Sequence, residues 1–512
     1  MSESFRSLID QRAVEVPDRV FLVDPDSAQK MSYLELKENA VRFGNMLNQF
    51  GVSSAGNVGF LMDNGYWTVV VMLGTMYHGS VTVPLNAVAS HRNLRFAVEN
   101  AKLDLIFVST AHRSLLDKVL SDIDRPIQVI EVDMEHGFDL EFLNFSTEYD
   151  SETELAKDTP AMILHTSGTV GVPKGAVLSH GNLIAGGKNV VLAQNLKEDD
   201  IAFCILPLYH INGQVVTVVA PLVSSSQVVM PRKFSLSRFW STLTDNRCTW
   251  FSTVPTITKY LLDDVHAKGG EQYLRDTSCL KFARSASSAM PASMLLDFEK
   301  TFGIPMLESM GLTESAAPIL ANPMPPATRK PGSVGIPFGN KVKIIDHSGD
   351  DLERGEIGEI VVRGDNVISQ YYNAREVTES AFTADGWFRT GDRGYQDDDG
   401  YFFVTGRIKE LIIKGGENIS PREIDDVLYR NKAILEVATF GYPDPAYGQV
   451  VAIAVVLKAD QSYSEEDLME YCRTELGSFL CPSRIFFVDD LPKGPSGKIQ
   501  RLQVANNLIP KD

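Results

Sequence analysis

Helical and strand patterns alternate through roughly the first 300 residues, and this constrains the fold more than any other feature of the chain. Ser32-Tyr33-Leu34-Glu35 reads as a capping box, Phe43, Met46, Leu47 and Phe50 follow at helical spacing, and Gly51 supplies a stop. The short apolar runs Asp104–Val108 and Ala161–Leu164 are bounded by polar or Gly-containing turns, as buried strands are. Strands separated by helices predict an α/β domain. The chain has 512 residues, 44% apolar and 22% charged, enough to bury a large core in about two to four folded units, which excludes a disordered or low-complexity assembly.

From Leu320 to Gly332 the text turns Pro-rich, and short strands follow, which predicts a β-rich subdomain over about 333–406 within an amino-terminal domain of residues 1–407. Asp397-Asp398-Asp399-Gly400 reads as a hairpin turn rather than a metal site. Residues 408–512 form a second, smaller unit. In it Ser420-Pro421-Arg422-Glu423 opens a helix with a Ser cap, VVAIAVVL is a buried strand, and a helix from Ser464 puts Leu468, Tyr471 and Cys472 on one face.

The net charge of -18 repels phosphate backbones and anionic lipid, and no basic run offsets it, so neither nucleic acid nor a membrane is an expected partner. Five cysteines without a CxxC pair, no leader pattern and no stretch of about 20 apolar residues predict a soluble protein of the reducing cytoplasm.

The strongest local signal is Thr166-Ser167-Gly168-Thr169-Val170-Gly171-Val172-Pro173-Lys174-Gly175, directly after an apolar strand. Three glycines let backbone N–H groups approach an anion closely, and three hydroxyls and one ammonium add donors, which suits a polyphosphate. The flanking Pro173 and Gly175 depart from the Walker pattern. Downstream stand Gly311-Leu312-Thr313-Glu314, Trp387-Phe388-Arg389-Thr390-Gly391-Asp392, Gly406-Arg407-Ile408-Lys409, Gly415-Gly416-Glu417-Asn418 and Pro492-Lys493-Gly494-Pro495-Ser496-Gly497-Lys498. In kind, order and interval these motifs resemble those of the adenylate-forming superfamily of acyl-CoA synthetases over nearly the whole chain. The resemblance implies a large α/β amino-terminal domain of several subdomains, one of them β-barrel-like, and a small mobile α+β lid.

It also implies an ATP-dependent acid–coenzyme A ligase. A carboxylate joins the α-phosphate with loss of pyrophosphate, and coenzyme A then displaces AMP. Coupling two anions requires a cation at the reacting centre, and Lys498 matches the family's lysine for that role. Glu314 would hold Mg²⁺, a hard cation suited to one carboxylate plus phosphate oxygens, and Thr313 would donate to the α-phosphate. Asp392 would accept from both ribose hydroxyls, Arg407 would assist there, and Ser287, Ser288 and Met310 would flank the adenine. Lys409 would be the hinge about which the lid turns, and Gly415 and Gly416 would line the coenzyme A channel.

His210 resembles the family's carboxylate-pocket histidine, and Ile211, Asn212, Gln214, Met310, Ala316 and Ala317 complete the expected acyl pocket. The stretch from Arg284 to Gly335 resembles oxalate–CoA ligases, but Ala317 stands where those carry a second histidine. Met310 replaces an aromatic residue, and Val170 replaces a threonine. These walls predict an apolar or weakly polar acyl chain rather than a diacid, with Asn212 and Gln214 able to take a polar tail. Three alternatives stay open: loading of a carrier-protein phosphopantetheine, a non-catalytic acyl-adenylate sensor and a luciferase-like oxidation. A homodimer also stays open.

Overall fold

Two mostly parallel sheets carry the helix–strand alternation. A computed structural model describes residues 4–138, 145–148, 154–166, 173–268, 277–459, 461–494 and 498–510. The capping box forms as read: Ser32 Oγ accepts from Glu35 N, and the Glu35 carboxylate accepts from Ser32 N, at the head of helix Tyr33–Gln49. The helix buries Leu36, Phe43, Met46 and Leu47, and Gly51 follows in the left-handed region with φ +73°.

One sheet has six strands in the order 128–132, 105–109, 57–61, 81–84, 160–166 and 174–179. Its last two strands are antiparallel, pairing Thr166 with Lys174, so the Gly-rich run connects a hairpin. Ser167, Gly168, Thr169, Val170 and Gly171 lie outside the described residues.

The second sheet has nine strands, and strands 201–203, 250–253, 282–285 and 306–312 run parallel within it. Their carboxyl ends therefore share one edge, where ligands of open α/β sheets bind. That edge presents Ser287 and Ser288 after one strand and Thr313 and Glu314 after its neighbour.

A four-stranded antiparallel sheet spans Lys341–Arg407. Asp397–Gly400 is a turn in it, with Lys330 Nζ 2.5 Å from Asp397 and 2.6 Å from Asp399. Among the described residues no His, Cys, Asp or Glu cluster suits a metal ion. The fourth sheet uses only strands between Ile412 and Phe487, with helices Pro421–Leu428, Glu465–Leu480 and Arg501–Leu508. Leu468 and Cys472 are buried in it, as the helical spacing predicts. Ser420 does precede helix Pro421–Leu428, but its hydroxyl donates to Thr405 C=O instead of capping the helix. Arg422 Nη1 donates to Val404 C=O at 2.5 Å, so this helix is tied to strand 402–407.

Gly335 sits where strand 336–337 meets its neighbour, with φ +91°, and a Cβ there would lie 2.0 Å from the Ala321 carbonyl. Gly335→Ala is expected to cost about 3 kcal/mol, read as a lowered Tm. Gly349→Ala, with a similar φ of +97° but open space around it, should cost only the backbone strain, about 1 kcal/mol. Equal Tm values for the two variants would contradict the steric account.

Candidate functional site

A cleft of about 370 Å³ opens at the carboxyl edge of the nine-stranded sheet and brings together Ser287, Ser288, Met310, Asp392, Arg407 and Lys498. Cross-strand pairing of Asp392 with Arg407 sets the first interaction, Arg407 Nε to Asp392 Oδ1 at 2.8 Å. Asp392, and more remotely Glu410 and Glu314, hold the half-buried guanidinium in its charged form. One carboxylate oxygen of Asp392 is thus already engaged, and ribose recognition must share it or use the other.

Lys498 reaches this cleft from the other end of the chain. Gly494 N donates to Lys498 C=O at 2.6 Å, and Lys493 bridges to Ile499, which folds the segment back on itself. Burial first, then the Arg407 and Arg501 guanidiniums, push the Lys498 ammonium down to about 8, against the pull of Asp392 and Glu410. Its segment is held by a residue the motifs did not single out. Arg501 Nη2 lies 2.5 Å from Asp425, Arg501 Nε lies 3.3 Å from Glu410, and Nη1 donates to Thr439 C=O. Asp425 in turn accepts from the Thr439 amide and hydroxyl. The only sequence signal was a second cation three positions after Lys498.

Glu314 stands in the short turn Thr313–Ser315 at the end of strand 306–312. Tyr371 Oη donates to Glu314 Oε1 at 2.8 Å, and the Lys174 ammonium lies over the Tyr371 ring, 5.2 Å from its centroid. Burial and then Lys409 push the Lys174 ammonium down, while Glu314 opposes them. Cations from three remote segments thus surround Glu314 and Asp392. Glu314 keeps its second carboxylate oxygen, which fits a magnesium ion bound chiefly by phosphate oxygens and water.

The expected acyl pocket is less uniform. Met310 lines the cleft, and His210 packs edge-on to Tyr209 at 4.8 Å. Asn212 is buried: its Oδ1 accepts from Ser252 Oγ and Arg284 Nη1, and its Nδ2 donates to Ser287 Oγ. Gln214 is fully buried and donates to Leu208 C=O, so its amide serves the chain rather than a polar tail. Ile211 packs against the main core. Ala316 and Ala317, with φ +45° and +82°, are buried in a left-handed bend and do not line the cleft. Gly415 and Gly416, with φ +59° and +91°, form the two-residue turn between strands 412–414 and 417–419, also off the cleft. The turn alone accounts for two glycines there.

Residues 9–372 match the AMP-binding enzyme family, and residues 423–498 match the AMP-binding enzyme C-terminal domain. The chain belongs to this family. It is 40% identical over 510 residues to a sulfoacetate–CoA ligase of Cupriavidus necator, covering 99% of this chain and 98% of that protein. It is 33% identical over 518 residues to an oxalate–CoA ligase of Arabidopsis thaliana, covering 100% and 99%. ATP-bound MatB from Rhodopseudomonas palustris superposes with a TM-score of 0.89 at 27% identity over 98% of this chain and 99% of that one. Apo MatB, with the same identity and coverage, gives 0.77. The present arrangement thus resembles the ATP-bound form more. The chain is an AMP-forming acid–CoA ligase with the adenylate-forming fold, using ATP with Mg²⁺ and coenzyme A. No described helix is long and apolar enough to cross a membrane.

A lysine that loses its charge near pH 8 leaves a signature on the first half-reaction. In the free enzyme Lys498 is charged below about 8 and neutral above it. The kcat/KM of acid-dependent pyrophosphate exchange should therefore fall as pH rises through that value. Lys498→Arg should be slower yet lack this alkaline limb. A flat wild-type profile between about pH 7 and 10 would contradict the assignment.

Proposed function

We propose that the two half-reactions divide between two lid orientations. In the first, Lys498 sits in the cleft, an acid carboxylate oxygen attacks the α-phosphorus and pyrophosphate leaves. Lys498 and Arg407 offset the charge on the crowded oxygens, Thr313 donates to the α-phosphate, and Asp392 accepts from the ribose. Glu314 holds the magnesium ion, which neutralises phosphate charge when bound. In the second, the lid (residues 408–512) turns about Lys409, Lys498 withdraws, and the Gly415-Gly416 turn lines the approach of the thiol. Sulfur then attacks the acyl carbon, the thiol proton passes to solvent and AMP departs.

The observation that carries this reading is the meeting of Lys498 with Asp392 and Arg407 in one cleft, though about 90 residues separate it from Arg407 in sequence. Free coenzyme A is the acceptor, a reading supported by the relatives named for it, and thioester formation only with a carrier protein would overturn it. The acid is short and carries a second anionic group, as sulfoacetate and oxalate do. This departs from the apolar chain expected of the pocket walls. Five free cysteines support a cytoplasmic enzyme.

Lys498→Ala is expected to slow pyrophosphate exchange at least about 100-fold while leaving thioester formation from supplied acyl-adenylate near the unsubstituted rate. Gly416→Leu should do the reverse. Both steps lost equally in both variants would contradict the division.

A further inference from the structure

Arg284, on strand 282–285, is 2% exposed, and a buried guanidinium without a counter-charge is destabilising. Its hydrogen bonds are to neutral acceptors: Nη1 donates to Asn212 Oδ1 and to Ser252 Oγ, both at 3.1 Å. Among the described residues no carboxylate lies within ion-pair reach of it, and Nε and Nη2 make no hydrogen bond. The nearby buried carboxylate, Glu308, pairs in register with Ser285, so the pleat turns it to the other face of the sheet from Arg284. Glu308 is occupied by the Met290 amide. Burial alone draws the Arg284 guanidinium down to about 9.

The location gives this charge a use. Asn212, its acceptor, follows His210 and Ile211 and donates to Ser287, which borders the nucleotide cleft. Arg284 is thus joined through Asn212 to the His210 segment and to Ser287 at the rim of the cleft, without itself lining that cleft. A planar fork with two free donor groups matches a carboxylate or sulfonate.

We propose that Arg284 is the specificity-determining residue that receives the second anionic group of the acid, a carboxylate or sulfonate at the end remote from the reacting carboxylate. The proposal rests on the ligase reading above. The substrate completes a charge balance that the folded chain leaves open. An acid lacking the distal anion would leave the guanidinium buried and unpaired, which selects against monoacids more sharply than pocket size could.

The test compares kcat/KM for coenzyme A thioester formation from oxalate, malonate, succinate and sulfoacetate with that from acetate, propionate and butyrate. The enzymes are wild type, Arg284→Gln and Arg284→Lys, with Tm and the KM for ATP measured alongside. Wild type should prefer an acid of the first set, Arg284→Gln should lose about 100-fold on that acid with the monoacids and the ATP KM little changed, and Arg284→Lys should recover part of the loss. Wild-type turnover of monoacids as good as or better than the first set overturns the proposal and leaves the ligase reading intact. So does an equal loss on both sets in Arg284→Gln, or no loss on either. Should Arg284→Gln fail to fold, the wild-type preference and the Arg284→Lys ratio decide the matter. Thioester from no acid in either set overturns the ligase reading itself, and this proposal with it.

Discussion

A carboxylate and a triphosphate repel one another, and the site is organised around offsetting that repulsion. The chain as a whole carries a charge of -18, yet Lys174, Arg407, Lys409 and Lys498 converge at the carboxyl edge of one sheet. Such crowding of cations is tolerable because Asp392, Glu314 and Glu410 are interleaved with them. The balance is held by geometry: antiparallel register sets Asp392 opposite Arg407, and the Thr313–Ser315 turn holds Glu314 under Tyr371. The ammonium of Lys498 is depressed first by its burial and then by Arg407, and an anion arriving beside it would favour its charged form.

Hydrogen bonds tie the small unit that brings Lys498 to the preceding sheet. Ser420 and Arg422 hold carbonyls of strand 402–407, while within the small unit itself Arg501 is pinned between Glu410 and Asp425. Arg501 and Asp425 both belong to the small unit, so that rivet can travel with Lys498. The contacts of Ser420 and Arg422 cross to the preceding sheet and must break if the lid turns. Polar contacts of this kind can be exchanged for water, which a large apolar interface could not do at similar cost.

What could be read from the sequence was whatever sits in contiguous motifs. The Thr313-Glu314 turn, Asp392 and Lys498 each belong to a short run in which backbone conformation and side-chain chemistry coincide. The helix opened by Ser32 was legible because its cap is local. The cap read at Ser420 was not made, because the hydroxyl found a carbonyl fifteen residues back across the chain turn. Gln214 resembled a ligand group and proved to be fastened to Leu208. Arg284 entered the sequence reading only as the first residue of a stretch that resembles oxalate–CoA ligases. Its burial depends on strands 250–253 and 306–312 closing on either side, a tertiary fact that no local pattern carries.

The central claim, that one ammonium enters and leaves a shared cleft, is tested most directly by a distance. Spin labels placed on exposed Glu475 of the small unit and exposed Asp104, just before strand 105–109, would be measured by pulsed electron spin resonance. One sample would hold a non-hydrolysable ATP analogue, and another a non-hydrolysable acyl-adenylate with coenzyme A. Two distinct distance distributions, exchanged by the change of ligand, are predicted. A single distribution common to both states would contradict the account.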